Sequence, residues 1–290
     1  MTAEDFLKHL SEDKNTDSVC LLDVRSESEF RQSSIPNSIN IPILKDHERH
    51  QVGLLYKTNG QAAAIELGHQ LVDSDRSNRV SAWVEVFRNI PENNRFLSCW
   101  RGGLRSRIAE EWLNESGVRV QRVVGGTKAI RTILLREFEL ENIPNLIVLA
   151  GLTGSRKTKL IEKIRTQIGV IDLEGLASHK GSAFGRDLFC PQPLQATFEN
   201  RLAFEFFRQK FHGAKTFLLE DESARIGDVS ISNVLRAKMN QCPIVFILSS
   251  LEERARFLSE DYVIGPSKRG LPFESIRDYF LSSTQRIEKK

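Results

Sequence analysis

Residues 145–164 read NLIVLAGLTGSRKTKLIEKI. An apolar run enters a glycine-punctuated turn at Gly151, and a helical pattern leaves it after Thr158. A strand that passes straight into a helix belongs in a parallel sheet, because the helix must carry the chain back to where the next strand starts. The loop meets the spacing G-x-x-x-x-G-K-[ST] at Gly151, Lys157 and Thr158, but position 156, where the pattern has glycine, is Arg. In such a loop backbone N–H groups wrap phosphates, the lysine neutralises them, and the hydroxyl of Thr158 ligates magnesium. Gly151, Gly154, Lys157 and Thr158 are therefore the candidate phosphate-binding residues. The helix that follows shows Leu160, Ile161, Ile164 and Ile168 on one side. The second magnesium contact is sought at the acidic end of another strand. TFLLEDES (216–223) offers Glu220, Asp221 and Glu222, with Asp221 the candidate; a plain acidic loop is the alternative. Arg156 removes the glycine that lets backbone approach phosphate closely. Obstruction is the favoured reading, with the new cation meeting the anion as the alternative.

The first half alternates in the same way. VCLLDVR (19–25) and NRFLSC (94–99) read as strands, SINIPIL (38–44) as a strand start broken by Pro42, and VQRVVGG as another strand. QAAAIELGHQLVD (61–73), SAWVEVFRNI (81–90), RSRIAEEWLNESG (105–117) and KAIRTILLREFEL carry helical periodicity. CPIVFILSS (242–250) is expected to be a buried strand of the second half. The polar stretch FELENIPN (138–145) marks the boundary, so two α/β domains are expected, 1–141 and 142–290. The final segment RDYFLSSTQRIEKK is helical, and the C-terminal helical part is expected to be incomplete.

SCWRGGLRS (98–106) follows a strand and opens a helix, with C-x5-R spacing from Cys99 to Arg105. Loop N–H groups, the helix N-terminus, Arg101 and Arg105 all favour a thiolate at Cys99, the nucleophilic form. The same cradle suits a phosphate-like or sulfur-bearing anion. An inert buried cysteine is the alternative, disfavoured by two glycines and two arginines that an apolar core does not want. Cys99, Arg101 and Arg105 are the candidate catalytic residues. C-x5-R is also a phosphatase spacing, and Ser106 fits the polar residue such an enzyme places beside its arginine, although Ser98 stands where His is expected. Cys20 and Cys242 read as core residues and Cys190 as a loop residue.

The four cysteines are far apart, with no C-x-x-C pair, so neither a zinc site nor a disulfide framework is indicated. The polar, acidic start MTAEDFLKHLSEDKN is not a targeting signal, and no apolar run spans a membrane, so a cytoplasmic protein is expected. A net charge of +3 does not by itself prove a nucleic-acid partner. Basic residues do gather near both loops, among them Lys128 and Arg131 in the first half and His179 and Lys180 in the second. The alternative is a set of solvated faces. Gly68 reads as a glycine that allows close helix packing.

LLDVRSESEFRQSSIPNSINIP followed by a cysteine loop resembles the rhodanese-like domain, in which Asp23 and Arg25 support the active region. Ser33 and Ser34 replace the usual Gly-His, and the Cys99 loop is one residue longer than in typical sulfurtransferases. A rhodanese-like domain joined to a P-loop NTPase-like domain resembles the tRNA 2-selenouridine synthase family. Segments such as HERHQVGLLYKTNGQAAAIELGHQLV (47–72), VVGGTKAIR (123–131), DLEGLASHKGSAFG (172–185), QPLQATFENRLA (192–203) and LEDESARIG (219–227) carry that resemblance. Arg156, Thr127 (where the family has an aromatic) and Leu194 (where it has a small polar residue) depart from the pattern. The resemblance implies conversion of wobble 2-thiouridine in tRNA to 2-selenouridine through S-geranyl-2-thiouridine. Geranyl diphosphate and selenophosphate would be the co-substrates, with no tightly bound cofactor and with magnesium a candidate at Thr158 and Asp221. It also implies a transferase with Cys99 handling selenium, and candidate tRNA or donor contacts at Gly68, Lys128, Arg131, His179 and Lys180. Two other readings remain: a rhodanese-type sulfurtransferase or phosphatase with a non-catalytic phosphate loop, and a catalytically impaired tRNA-binding remnant. Neither oligomeric state nor tRNA species can be read from the sequence.

Overall fold

The computed structural model describes residues 1–12, 18–164, 168–182 and 184–288. They form two compact units, Met1–Arg136 and Glu137–Lys290. In the first, strands β1 (Cys20–Asp23), β2 (Ser38–Asn40), β3 (Arg95–Ser98) and β4 (Gln121–Arg122) pair in parallel in the order β2-β1-β3-β4. The two central strands are apolar on both faces because helices cover both. Leu21, Leu22, Phe96 and Leu97 are fully buried.

Helix α1 (Ala3–Glu12) buries Phe6, Leu7 and Leu10, and Phe6 meets Phe96 edge-on. In sequence this segment reads as polar and acidic. Its apolar residues recur at helical spacing between the charges. Helix α2 (Glu27–Gln32) follows β1. Helix α3 (Asp46–Asp73) begins well before the helix expected at 61–73 and breaks at Gly60, whose φ of 85° only glycine adopts without strain. Helix α4 (Arg76–Phe87) buries Trp83, which stacks on Trp112 of α5 (Leu104–Glu115) and donates its indole N–H to the Ile41 carbonyl at 3.0 Å. Helix α6 (Gly126–Leu135) closes the unit.

Asp23 and Arg25 form a fully buried ion pair, and Arg25 also donates to the Ser33 carbonyl at 2.7 Å. The turn altered by Ser33 is thus tied down by backbone rather than side chain. Deleting one partner of such a pair strands a buried charge, at about 3–5 kcal/mol.

In the second unit β5 (Asn145–Gly151), β6 (Gly169–Ile171), β7 (Thr216–Glu220) and β10 (Ile244–Ile247) pair in parallel in the order β10-β5-β7-β6. A two-stranded antiparallel ribbon, β8 (Arg225–Ile226) and β9 (Val229–Ser230), stands apart. Helix α7 (Lys157–Ile164) leaves the phosphate loop, and α8 (Leu173–Ala177) follows β6. Helix α9 (Gln195–Phe211) sets Phe198, Leu202 and Phe206 at four-residue spacing, and these join Phe217 and Leu219 in the main core. Helices α10 (Asn233–Met239), α11 (Leu251–Ser259), α12 (Gly265–Lys268) and α13 (Phe273–Glu288) complete it.

Two expectations are corrected here. β10 is not buried: Ile244, Val245 and Phe246 are 63%, 49% and 55% exposed. It pairs with β5 alone and forms the sheet's edge, which an apolar run cannot reveal in sequence. On α7 only Ile161 is fully buried; Leu160 and Ile168 are exposed, the latter lying past the helix end.

Candidate functional site

The first candidate site is the loop from Cys99 to Gly103, between β3 and α5. Cys99 is buried, and its Sγ donates to the Ser106 hydroxyl at 3.3 Å, which in turn donates to the Gly103 carbonyl at 3.1 Å. The Cys99 carbonyl accepts both the N–H of Thr127 (3.0 Å) and its hydroxyl (2.9 Å), and Lys128 N–H donates to the Trp100 carbonyl at 2.9 Å. The start of α6 is thereby clamped under the loop. A Cβ at Gly126, where φ is 60°, would lie 2.1 Å from the Cys99 carbonyl oxygen, so only glycine fits. Thr127, where the family resemblance expects an aromatic, takes its place in the loop through this double contact.

Arg105 is engaged by Glu29 of α2, at 2.5 and 3.1 Å. Burial works against the charge of Glu29, but the bonds and charge of Arg105 outweigh it and hold the carboxyl below its ordinary range. Burial likewise opposes the Arg105 charge, and the hydrogen bonds and charge of Glu29 more than offset it. Arg101 stays exposed beside the loop. Glu29 lies 76 residues from Arg105, so no spacing signal announces it. Of the other thiols, Cys20 is pushed up to about 11 by burial, Cys242 donates to the Lys238 carbonyl at 3.0 Å, and Cys190 is exposed.

Gly68, expected to allow close helix packing, does not: a Cβ there would meet nothing within 4 Å, and the residue lines a cavity to which both halves of α3 and the start of α5 contribute. Lys128 is exposed at the start of α6, and Arg131 is half-buried one turn on.

The second candidate site surrounds the phosphate loop, in a cavity of about 590 Å³ that also takes in His179 and Lys180. Lys157 reaches back across the loop to the Gly151 carbonyl at 3.0 Å. The Thr158 hydroxyl donates to Glu220 Oε1 at 3.1 Å, and Glu220 Oε2 accepts the Glu174 N–H at 3.3 Å. The carboxylate beside Thr158 is therefore Glu220. Asp221, the expected partner, lies half-exposed beyond the strand end, 3.7 Å from Arg236. Side chains alternate along a strand, so one step in register turns the acid to the other side.

Arg156 adopts φ 65°, the left-handed conformation that glycine supplies in the usual pattern. Its guanidinium lies over the Phe257 ring, 3.1 Å from the centroid. The side chain is thus drawn towards α11. Lys180 donates to the Asp261 carbonyl at 3.1 Å and sits over Tyr262. The Nδ1 of His179 is buried without a partner among the described residues, and burial lowers the ring's pKa, favouring neutral imidazole.

Glu174 and Glu222 line this cavity, and the buried Glu220 lies beside them. Burial, then the charges of Glu220 and Glu222, push Glu174 up to about 9. Burial, then Asp172, pushes Glu220 up to about 7. Glu222 is also raised, first by burial. The three shifts share a direction, upward, and belong to one interacting group. Among the described residues no three His, Cys, Asp or Glu side chains are grouped to hold a metal. One hydroxyl and one carboxylate, Thr158 and Glu220, do fit magnesium, which takes oxygen ligands and keeps much of its shell as water and phosphate.

A cysteine loop on one parallel-sheet unit and a loop of phosphate-loop spacing on another define a two-unit α/β protein. Residues 2–132 match the rhodanese-like domain, and residues 144–290 match the tRNA 2-selenouridine synthase AAA domain. The tRNA 2-selenouridine synthase of Marinobacter nauticus is 40% identical over 281 residues, covering 94% of this chain and 75% of its own length. Those of Pseudomonas syringae pv. syringae (42%) and Cupriavidus necator (43%) each cover 85% of this chain, which spans about two thirds (66%) of their length. The chain belongs to the tRNA 2-selenouridine synthase family. No described helix is long and apolar enough to cross a membrane.

Proposed function

We propose that this chain is a transferase that replaces the sulfur of wobble 2-thiouridine in tRNA by selenium. The observation that carries the reading is Cys99, held in a glycine loop on a family-matched rhodanese-like unit that is joined to a phosphate-loop unit. Two steps are assigned. The thiocarbonyl sulfur attacks the first carbon of geranyl diphosphate; a carbon–sulfur bond forms, and diphosphate leaves with the carbon–oxygen electron pair. The selenium of selenophosphate then adds to the ring carbon that bears the S-geranyl group, and geranylthiolate leaves with the carbon–sulfur pair; water cleaves the remaining selenium–phosphorus bond, releasing phosphate and leaving selenium on the ring. Alkylation turns sulfur into a leaving group, which is why prenylation precedes exchange.

Cys99, with Arg101 and Arg105 beside it, is assigned to the selenium step. Gly151, Gly154, Lys157 and Thr158 are assigned to phosphate groups, of the prenyl donor or of the tRNA backbone, with Glu220 taking the role first sought at Asp221. Magnesium, when bound at Thr158 and Glu220, supplies charge neutralisation of phosphate oxygens. Lys128, Arg131, His179 and Lys180 are assigned to tRNA or donor phosphates. The protein acts in the cytoplasm.

Nucleoside mass spectrometry of thiolated tRNA, incubated with geranyl diphosphate and selenophosphate, tests this. Selenouridine from the wild-type chain, and its loss in Cys99→Ser, is the expected result. Thiosulfate or phosphoester turnover by Cys99 with unchanged tRNA would favour the sulfurtransferase or phosphatase reading instead.

A further inference from the structure

The two halves of α3, separated at Gly60, both line a cavity of about 620 Å³ in the first unit. Val52 and Leu54 come from one half, Ala64 and Ile65 from the other, and Leu104 and Ile108 of α5 add to the wall. The volume is that of a small-molecule site, commonly about 300–1,000 Å³. The charged lining residues are Arg49, Lys57 and Arg105, with two histidines; no carboxylate lines the cavity. Glu29, which pairs Arg105 and lies 3.8 Å from Arg49, is not among the lining residues. An apolar hollow with a purely cationic complement suits a hydrocarbon carried by an anion. Its link to the thiol loop is covalent and short: Leu104 and Arg105 open the helix that the Cys99 loop enters.

We propose that this cavity binds the branched ten-carbon chain of the prenyl group, with its phosphate-bearing end towards Arg49, Lys57 and Arg105. The assignment rests on the prenylation reading above and locates the hydrocarbon in the rhodanese-like unit. The chain is carried either by the prenyl diphosphate or by the S-prenyl nucleoside in tRNA; both present the same branched alkene, joined directly to diphosphate in the first and through sulfur to a nucleotide of the phosphate backbone in the second.

The test is chain-length selectivity, measured with the full chain and non-ionising thiolodiphosphate analogues of five, ten and fifteen carbons. Ala64 is buried against the cavity, so Ala64→Trp fills it. The ten-carbon analogue should then bind roughly tenfold more weakly, the loss expected when one or two buried methylenes are displaced. Binding of the five-carbon analogue and of inorganic diphosphate should hold. Ile108→Ala, which enlarges the cavity, should move preference towards fifteen carbons, and it decides the matter where Ala64→Trp fails to fold. Unchanged chain-length preference in a folded variant overturns the proposal. With tRNA, slowed geranylation by Ala64→Trp assigns the cavity to the donor. Slowed selenation of pre-geranylated tRNA assigns it to the S-prenyl nucleoside. If neither step slows, the proposal falls. Absence of geranyl-thiouridine with the wild-type chain would instead remove the functional reading itself.

Discussion

The Cys99 loop and the phosphate loop solve one problem in two ways. Each carries the chain from a parallel strand into a helix through a turn that includes left-handed backbone. In the first, left-handed backbone falls on glycine, and at Gly126 even one methyl group would collide with the Cys99 carbonyl. In the second, the left-handed position 156 carries Arg, whose guanidinium rests on Phe257. What separates them is what stands next to the missing or added side chain. Backbone carbonyl cannot give way, whereas a residue facing an aromatic ring can recover part of the strain by stacking on it.

The largest test of that contrast is chemical. Cys99→Ser should lower selenation by at least ~10³-fold while leaving geranylation of tRNA measurable, since removing a nucleophile abolishes its own step first. Equal loss of both steps would merge the two loops into one site. Next, Gly126→Ala should destabilise the first unit by about 2–4 kcal/mol, from left-handed strain plus overpacking, read from urea unfolding. A neutral result would mean the clamp on Cys99 is soft.

The Arg156 series comes third. Arg156→Ala keeps the strain and loses the stacking, costing about 1 kcal/mol, whereas Arg156→Gly loses both and should lie within about 0.5 kcal/mol of wild type. Phosphate affinity of Arg156→Gly should change less than about threefold if the side chain already lies out of the way; a rise of tenfold or more would restore the obstruction reading.

The smallest effect is on pH. Glu220 and Glu174 release their protons at about 7 and about 9 in the folded chain, against an ordinary 4.5. The folded form therefore holds more protons than the unfolded one in that window. Their contribution to stability is complete below about 4.5 and is lost as pH rises through 7 towards 9. Glu174→Gln should flatten the fall, raising Tm near pH 9 by roughly 2–4 °C. An unchanged slope would show that the carboxylates do not titrate as a group.

Local chemistry was legible in the sequence and distant pairing was not. β1, β3, β5 and β7 and the helix after Cys99 announced themselves through apolar runs, glycines and periodicity. Spacing alone singles out Cys99, Lys157 and Thr158 as candidates. Glu29 was invisible because the fold alone brings it to Arg105. Glu220 was missed in favour of Asp221 because three acids in a row leave the strand's register undecided. The exposure of β10 was hidden for a related reason, since an apolar strand reads the same at a sheet's centre and at its rim.

That rim has a practical meaning. Ile244, Val245 and Phe246 present greasy side chains beside a free row of backbone amides and carbonyls, a ready seat for any other extended chain. Handled alone at high concentration, this protein should stick to itself along that line. A lysine at Phe246 should keep it in solution without touching either loop.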